Sequence, residues 1–401
     1  MAEQSRDNQK QIKTRRNKRF FRPIPVIVFV FACCVLLWFF SLYKPAYEKL
    51  VTIEAARAIP DSENAATIYN KLPGYSSDLL EYNFPDKSIE DVTLAKPWSG
   101  EDYPELAGWF EEREDIINDL IRASKIEQCR FPLTDFPKGA GLHGQRLKSL
   151  RTWTFFLVRA ANNDIAEGRI EKALEKCFCL IRMGRHNRQQ PFSLDFIIGI
   201  NIESMALRRM RTCIVESDLT DENLLAIEAA ITQPDNQWTQ DFDNMLAVEK
   251  IYVKMLPHAP SETGWWHQLK ARWQKKRDLD AKIDRIKELY TQLLADRRGN
   301  QILIALRRFR NQNSSWPESL DELLPLDDKN VLIDPQNNSP FIYKLTDDGF
   351  IMYSKGPNKI DENGTDKNGA DDRAIWPLQI PQTGEKNIGE EQSVTEKREI
   401  K

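Results

Sequence analysis

Residues 24–43 read IPVIVFVFACCVLLWFFSLY and carry no charge over twenty positions. A helix of that length spans about 30 Å, the thickness of a bilayer's hydrocarbon layer. No other segment constrains the chain as strongly, because such a run has to leave water. Trp38 and Tyr43 suit the far interface. Ahead of it, residues 1–22 hold eight Lys/Arg (Arg6, Lys10, Lys13, Arg15, Arg16, Lys18, Arg19, Arg22) and two acids (Glu3, Asp7), so 8 − 2 = +6. That asymmetry predicts a cytoplasmic N-terminus and an exported remainder. A cleaved signal peptide would have a shorter apolar core and a small-x-small site, which Phe-Ser-Leu-Tyr-Lys-Pro does not supply. Lipoprotein cleavage before Cys33 would place Phe31 in a motif it fits poorly, with the apolar run continuing to Tyr43. The expectation is a basic tail over 1–22, a retained single-pass membrane helix over 23–43, and location in the cytoplasmic membrane.

The 401 residues are 41% apolar and 29% charged, which suits a tethered globular protein. A net charge of −3 argues against nucleic acid as a partner. Residues 44–58 continue as helix until Pro60, and residues 63–72 read as a short helix. Residues 73–100 are rich in Pro, Gly, Ser and Asp and read as irregular. Helix returns over about 103–127. The strongest helical signal lies in 145–233. Leu147, Leu150, Trp153, Phe156, Leu157 and Ala160 mark one face, Gly168 ends that helix, and Ile170 starts the next. Pro191 precedes a helix over 193–216, and Thr220 caps one over 221–232. A further helix covers 237–256, residues 257–264 form a loop, and a very polar helix runs from about 265 to 311. Its opposite charges suggest a solvated face. The alternation of alanine-rich helices and a glycine turn loosely resembles tetratricopeptide-type helical hairpins, without the strict 34-residue period.

Candidate chemistry in this body is sparse. His143, His186, His258 and His267 are scattered and form no H-x-x-x-H pair. Cys177 and Cys179 are two apart on an expected helix and face different ways, so they form neither a redox pair nor a metal pair. Export permits disulfides among Cys129, Cys177, Cys179 and Cys213, and buried free thiols are the alternative. The stretch from Gly139 to Gly144 lacks the G-K-[ST] ending of a phosphate loop.

The segment from Ser315 to Trp376 has a definite order of parts. Ser315 and Glu318 have capping-box spacing, with Pro317 in the first turn and Leu320, Leu323 and Leu324 as an apolar face. Asp334-Pro335 and Asn337 to Pro340 form turns. Residues 341–343 and 350–353 read as strands joined around Asp347-Asp348-Gly349. Next comes a loop containing Asn358, Asp361, Asn363, Asp366, Asn368, Asp371 and Asp372. It is rich in the oxygens and glycine bends that a hard cation needs, but lacks EF-hand spacing. By composition alone it also fits a solvated acidic loop.

W-P-E-S-L-D-E-L-L-P, D-P-x-x-x-x-P-F-x-Y, G-F-x-x-Y-S-x-G-P-N and an Asp/Gly loop closing on D-D together resemble the C-terminal domain of type II secretion major pseudopilins. The resemblance covers about residues 300–376. It implies a calcium site in the loop, carried over to Asn358, Asp361, Asn363, Asp371 and Asp372. The pseudopilin leader and the Phe-Thr-Leu-Ile-Glu helix start are not found upstream, so a pilus subunit is not expected. The chain is therefore expected to be mainly α with a small α+β C-terminal domain. Its expected parts are an exported helical domain over 44–299, a pseudopilin-like β-hairpin cap over 300–378 and a disordered tail over 379–401. The expected function is an exported interaction or assembly protein, anchored by one membrane span, with calcium as cofactor and an unidentified protein partner. An exported hydrolase with its site in the helical domain is the alternative.

Overall fold

The computed structural model describes residues 48–378, apart from 75–76, 81, 134–139, 233–234, 256–264, 324–328 and 367–368. The expected basic tail, membrane span and C-terminal tail lie outside the described residues. Among the described residues no helix is long and apolar enough to cross a membrane.

Eleven α-helices among the described residues precede two small antiparallel sheets. They are α1 (residues 48–57), α2 (Ala66–Tyr69), α3 (Lys87–Ala95), α4 (Pro104–Glu111), α5 (Glu114–Ser124), α6 (Ala140–Ala166), α7 (Ile170–Arg188), α8 (Ser193–Glu216), α9 (Asp221–Ile231), α10 (Asp235–Met255) and α11 (Trp265–Asn313). Strands β1 (Ile333–Asp334) and β2 (Ser339–Pro340) pair, and β3 (Ile342–Thr346), β4 (Gly349–Ser354) and β5 (Arg373–Trp376) form a sheet in that order. From Leu50 onward the described residues belong to one compact unit. Its core runs from Ala65 to Ile375, so the hairpin sheet and the helices share an interior. The expected boundary between 299 and 300 falls inside α11.

Several helix limits follow local chemistry. Gly168, at φ 71°, ends the α6 turn in the left-handed region that glycine adopts freely. Thr220 and Asn223 form a reciprocal capping box on α9. Helix α3 was unexpected in the irregular stretch. Asp86 caps it by accepting from the Ser88 backbone N–H at 2.8 Å, and the surrounding Pro and Ser residues mask its short pattern. The expected helix over 103–127 is two helices, broken between Glu111 and Glu114. The capped helix expected after Ser315 is only a 3₁₀ turn, Leu320–Leu323. There the Glu322 carboxylate, rather than Ser315, accepts from the Glu318 and Ser319 N–H groups.

Two glycines set the crossing of α7 and α8. A Cβ on Gly199 would lie 2.5 Å from the Gly184 carbonyl oxygen, and one on Gly184 would lie 2.6 Å from the Gly199 carbonyl oxygen. Beside this contact Glu203 is buried, accepting from Arg188 Nε at 2.8 Å and from Arg297 of α11 at 2.6 Å. Burial alone would raise Glu203, but the guanidiniums of Arg188 and Arg297 outweigh it and hold the carboxyl low.

The expectation that α11 is solvated is corrected for its C-terminal half. Ile286, Leu293, Ile302, Leu303, Ile304 and Leu306 are buried, as are Asp296, Arg297, Asn300 and Arg307. Their charges answer groups on α8. Arg307 donates to the carbonyls of Ile214 (2.7 Å), Val215 (2.6 Å) and Ser217 (2.6 Å), satisfying the open C-terminus of that helix.

Gly199→Ala is expected to cost about 2–3 kcal/mol, the range of overpacking against an immovable backbone. Gly108→Ala, in α4 with nothing within 4 Å of the new Cβ, should be neutral or stabilise by up to about 1 kcal/mol. Urea unfolding followed by circular dichroism checks both, and equal effects would contradict the crossing.

Candidate metal centre

Strands β3 and β4 pair from Ile342↔Tyr353 to Thr346↔Gly349, leaving Asp347 and Asp348 as a two-residue turn. Trp316, Tyr343 and Phe350 pack together beneath the hairpin. Behind it, buried Asp334 accepts from Ser354 Oγ, Asn337 Nδ2 (2.7 Å) and the Gln336 N–H (2.9 Å). Asn337 Nδ2 also donates to the Gly356 carbonyl at 3.1 Å. The turn opened by Asp334-Pro335 thus fixes where the acidic loop begins.

The loop is bent sharply, with positive φ at Gly356, Lys359, Asn363, Gly364 and Gly369. At Gly356 a Cβ would collide with the Asp371 carboxylate, so glycine is required there.

Glu362, Asp371 and Asp372 converge, with one carboxylate oxygen from each within 4.8 Å of the others. Each uses one oxygen to hold the loop. Glu362 Oε1 accepts from Asn358 Nδ2 at 2.7 Å, Asp371 Oδ2 from the Asn358 N–H at 3.1 Å, and Asp372 Oδ2 from the Gly364 N–H at 2.8 Å. The other three, Glu362 Oε2, Asp371 Oδ1 and Asp372 Oδ1, are buried without a hydrogen-bond partner among the described residues. Asp372 as a whole is fully buried.

A buried carboxylate oxygen without a partner is costly. Carboxylates gathered this closely also repel one another, and a divalent cation relieves both penalties. Oxygens within 4.8 Å of one another can share one ion at calcium–oxygen distances of about 2.3–2.6 Å. Burial, and then the neighbouring Glu362 carboxylate, push Asp372 above the usual range.

Of the expected ligands, Asp371 and Asp372 are brought together. Asn358 braces two of the three carboxylates. Asp361 Oδ1 accepts from Tyr353 Oη at 2.8 Å and from the Asn363 N–H at 3.0 Å. Those bonds, the Tyr353 hydroxyl first, hold its carboxyl low and tie it to the hairpin. Asn363 Oδ1 accepts from Lys344 Nζ at 3.2 Å. Glu362 is not among the expected ligands, and its signal is a second carboxylate, next to Asp361, inside the D-x-N-G piece.

Elsewhere, His186 is a core residue. Its Nε2 donates to the Ile126 carbonyl at 2.7 Å, so Nδ1 accepts from Tyr69 Oη at 3.1 Å. Burial lowers its pKa to about 4. It borders a cavity of about 20 Å³, room for one water, with Cys129, Arg146 and Trp153. Cys129, Cys177, Cys179 and Cys213 are buried free thiols. The glycine-containing stretch expected to be no phosphate loop leads into the first turn of α6, and His258 lies outside the described residues. Comparison of the chain with protein-family models, curated proteins and solved structures gives no match.

Calcium in hundredfold excess over its Kd should stabilise the full chain by about 2.7 kcal/mol, a rise in Tm on the order of 5 °C. With a Kd on the order of 10⁻⁴–10⁻³ M, as in extracellular modules, that excess is about 10–100 mM calcium, and millimolar calcium should give a smaller part of the rise. Magnesium, which keeps its waters, should do less. Asp371→Ala with Asp372→Ala should abolish the difference, and identical melting curves in calcium and chelator would refute the site. Protons and cation compete for the same oxygens. With Asp372 raised, the calcium-free fold gains stability as pH falls through that raised pKa, so the calcium increment should shrink over the same fall in pH.

Proposed function

We propose that this chain is a membrane-anchored, exported interaction or assembly protein whose C-terminal module is locked by calcium. The observation that carries this is the trio of buried, partnerless carboxylate oxygens from Glu362, Asp371 and Asp372. A weak hard-cation site works only where calcium is millimolar, which is outside the cytoplasm. The basic flank and the uncharged run over residues 24–43 supply the same orientation from the sequence. The loop and hairpin follow the order of parts seen in the pseudopilin resemblance, and the helical body offers a scaffold for a protein partner.

Protease added to right-side-out membrane vesicles tests orientation and lock together. Cleavage within 356–373 should occur from outside and speed up several-fold in chelator. A module that is protected in these vesicles but cut in inverted ones would overturn the export reading.

A second reading, an exported hydrolase with its site in the helical domain, draws on one pairing. Fully buried Asp195 accepts from His143 Nε2 at 3.0 Å and also from Arg146. A buried carboxylate orienting a partly exposed imidazole is an arrangement used by general bases. Turnover in an ester, peptide and phosphoester panel, lost in His143→Gln but kept in the Asp371→Ala, Asp372→Ala chain, would decide for it.

A further inference from the structure

The carboxylates of the acidic loop are continuous with the strand that attaches the sheet to the helices. Directly after Asp371 and Asp372 comes Arg373, the first residue of β5, which donates to Asp296 of α11 at 2.5 Å. Asp296 is fully buried and also receives Arg211 of α8. Arg211 reaches β5 as well, donating to the carbonyls of Ala374 at 3.3 Å and Ile375 at 3.4 Å. Its Nε donates to Asn300 Oδ1 at 3.3 Å, and Asn300 Nδ2 returns to the Leu207 carbonyl at 3.2 Å. The Ile375 side chain lies so close to Gly299 that a Cβ there would come within 2.9 Å of it. Farther back in the loop, Asp366 is near enough to Arg208 of α8 to act on its charge.

We propose that the acidic loop is a cation-operated clamp: holding a divalent ion at Glu362, Asp371 and Asp372 fixes β5 in its seat and thereby locks the sheet module onto α8 and α11. This rests on the cation reading above. Without an ion, repulsion among the three carboxylates is relieved by loosening the loop around Glu362, Asp371 and Asp372. Because Asp372 adjoins Arg373, that loosening draws the guanidinium from Asp296 and Ile375 from its seat at Gly299. A bound ion reverses the sequence. The coupling is reciprocal, so breaking the Arg373–Asp296 pair weakens the hold on the ion.

Hydrogen exchange of the full chain in detergent, read by mass spectrometry in calcium chloride and in chelator, tests the clamp. At tenfold excess of calcium over Kd, exchange in 356–373 should slow about elevenfold. Peptides covering 205–215 of α8 and 295–303 of α11 should slow by the same factor, because they open with β5. In Arg373→Gln, and independently in Ile375→Ala, the loop should still slow while the helices no longer do, and the calcium Kd should rise several-fold. Slowing confined to 356–373 in the unaltered chain overturns the clamp and leaves the cation site standing. So does helix slowing that survives both substitutions. No slowing in 356–373 overturns the cation site, and the clamp with it.

Discussion

The fold depends on charges buried between α8 and α11. Glu203 meets Arg297, Arg211 meets Asp296 and Asn300, and Arg307 meets the last carbonyls of α8. From Glu203–Arg297 through Leu207–Asn300 to Ile214–Arg307 the partners rise together in number, so the two helices run in the same direction, and Arg211 reaches back to Asp296. Burying such pairs gives little net stability over apolar residues of similar size, but removing one partner costs about 3–5 kcal/mol. Their contribution here is register. A guanidinium satisfies its fork of donors only when the facing carboxylate or carbonyls sit at the right step, so a slide by one turn leaves several charges unpaired. Apolar side chains alone would tolerate that slide.

The same seam explains why the small sheet is part of the helical unit. A two-stranded hairpin is marginal by itself in water, and a third strand helps only where the sheet has an apolar face to bury or a helix to pack on. Here β5 is held by Arg211 through two carbonyls and by Arg373 through Asp296. The face of β4 carrying Phe350 and Met352 is buried as well. The module therefore owes its position to charges on helices about 80 to 160 residues earlier in the chain.

That dependence also marks the limit of what was legible in the sequence. Helices with local signals were legible: α8 after Pro191, α9 after Thr220, and the α6–α7 break at Gly168. The hairpin was legible because alternating apolar residues flank a two-aspartate turn. Charges on α11 looked like a solvated face because composition does not show whether a charge has a partner far away in the sequence. Asp296 and Arg297 appear alike on a helical wheel whether they meet water or Arg211 and Glu203. Helix α3 was hidden because its cap and few apolar residues sit among Pro and Ser. In the loop, the closing Asp371–Asp372 pair was legible from motif order. The assignments of Asp361 and Glu362 were not, since adjacent carboxylates diverge according to backbone bends that the left-handed residues Lys359, Asn363 and Gly364 create.

The loop keeps three carboxylates together without letting them spring apart. Three carboxylates brought together would repel and swing into water, yet each is fixed by one oxygen: Asn358 grips two and the Gly364 N–H grips the third. Asp361, which would add a fourth charge, is held by Tyr353 and the Asn363 N–H. The loop thus trades ligand number for preorganisation. Fewer charges in the site mean less repulsion in the ion-free fold, and bracing means less ordering when an ion arrives. On the proposed cation reading, the consequence is an affinity limited by charge count rather than by flexibility, which suits a structural ion drawn from a millimolar supply.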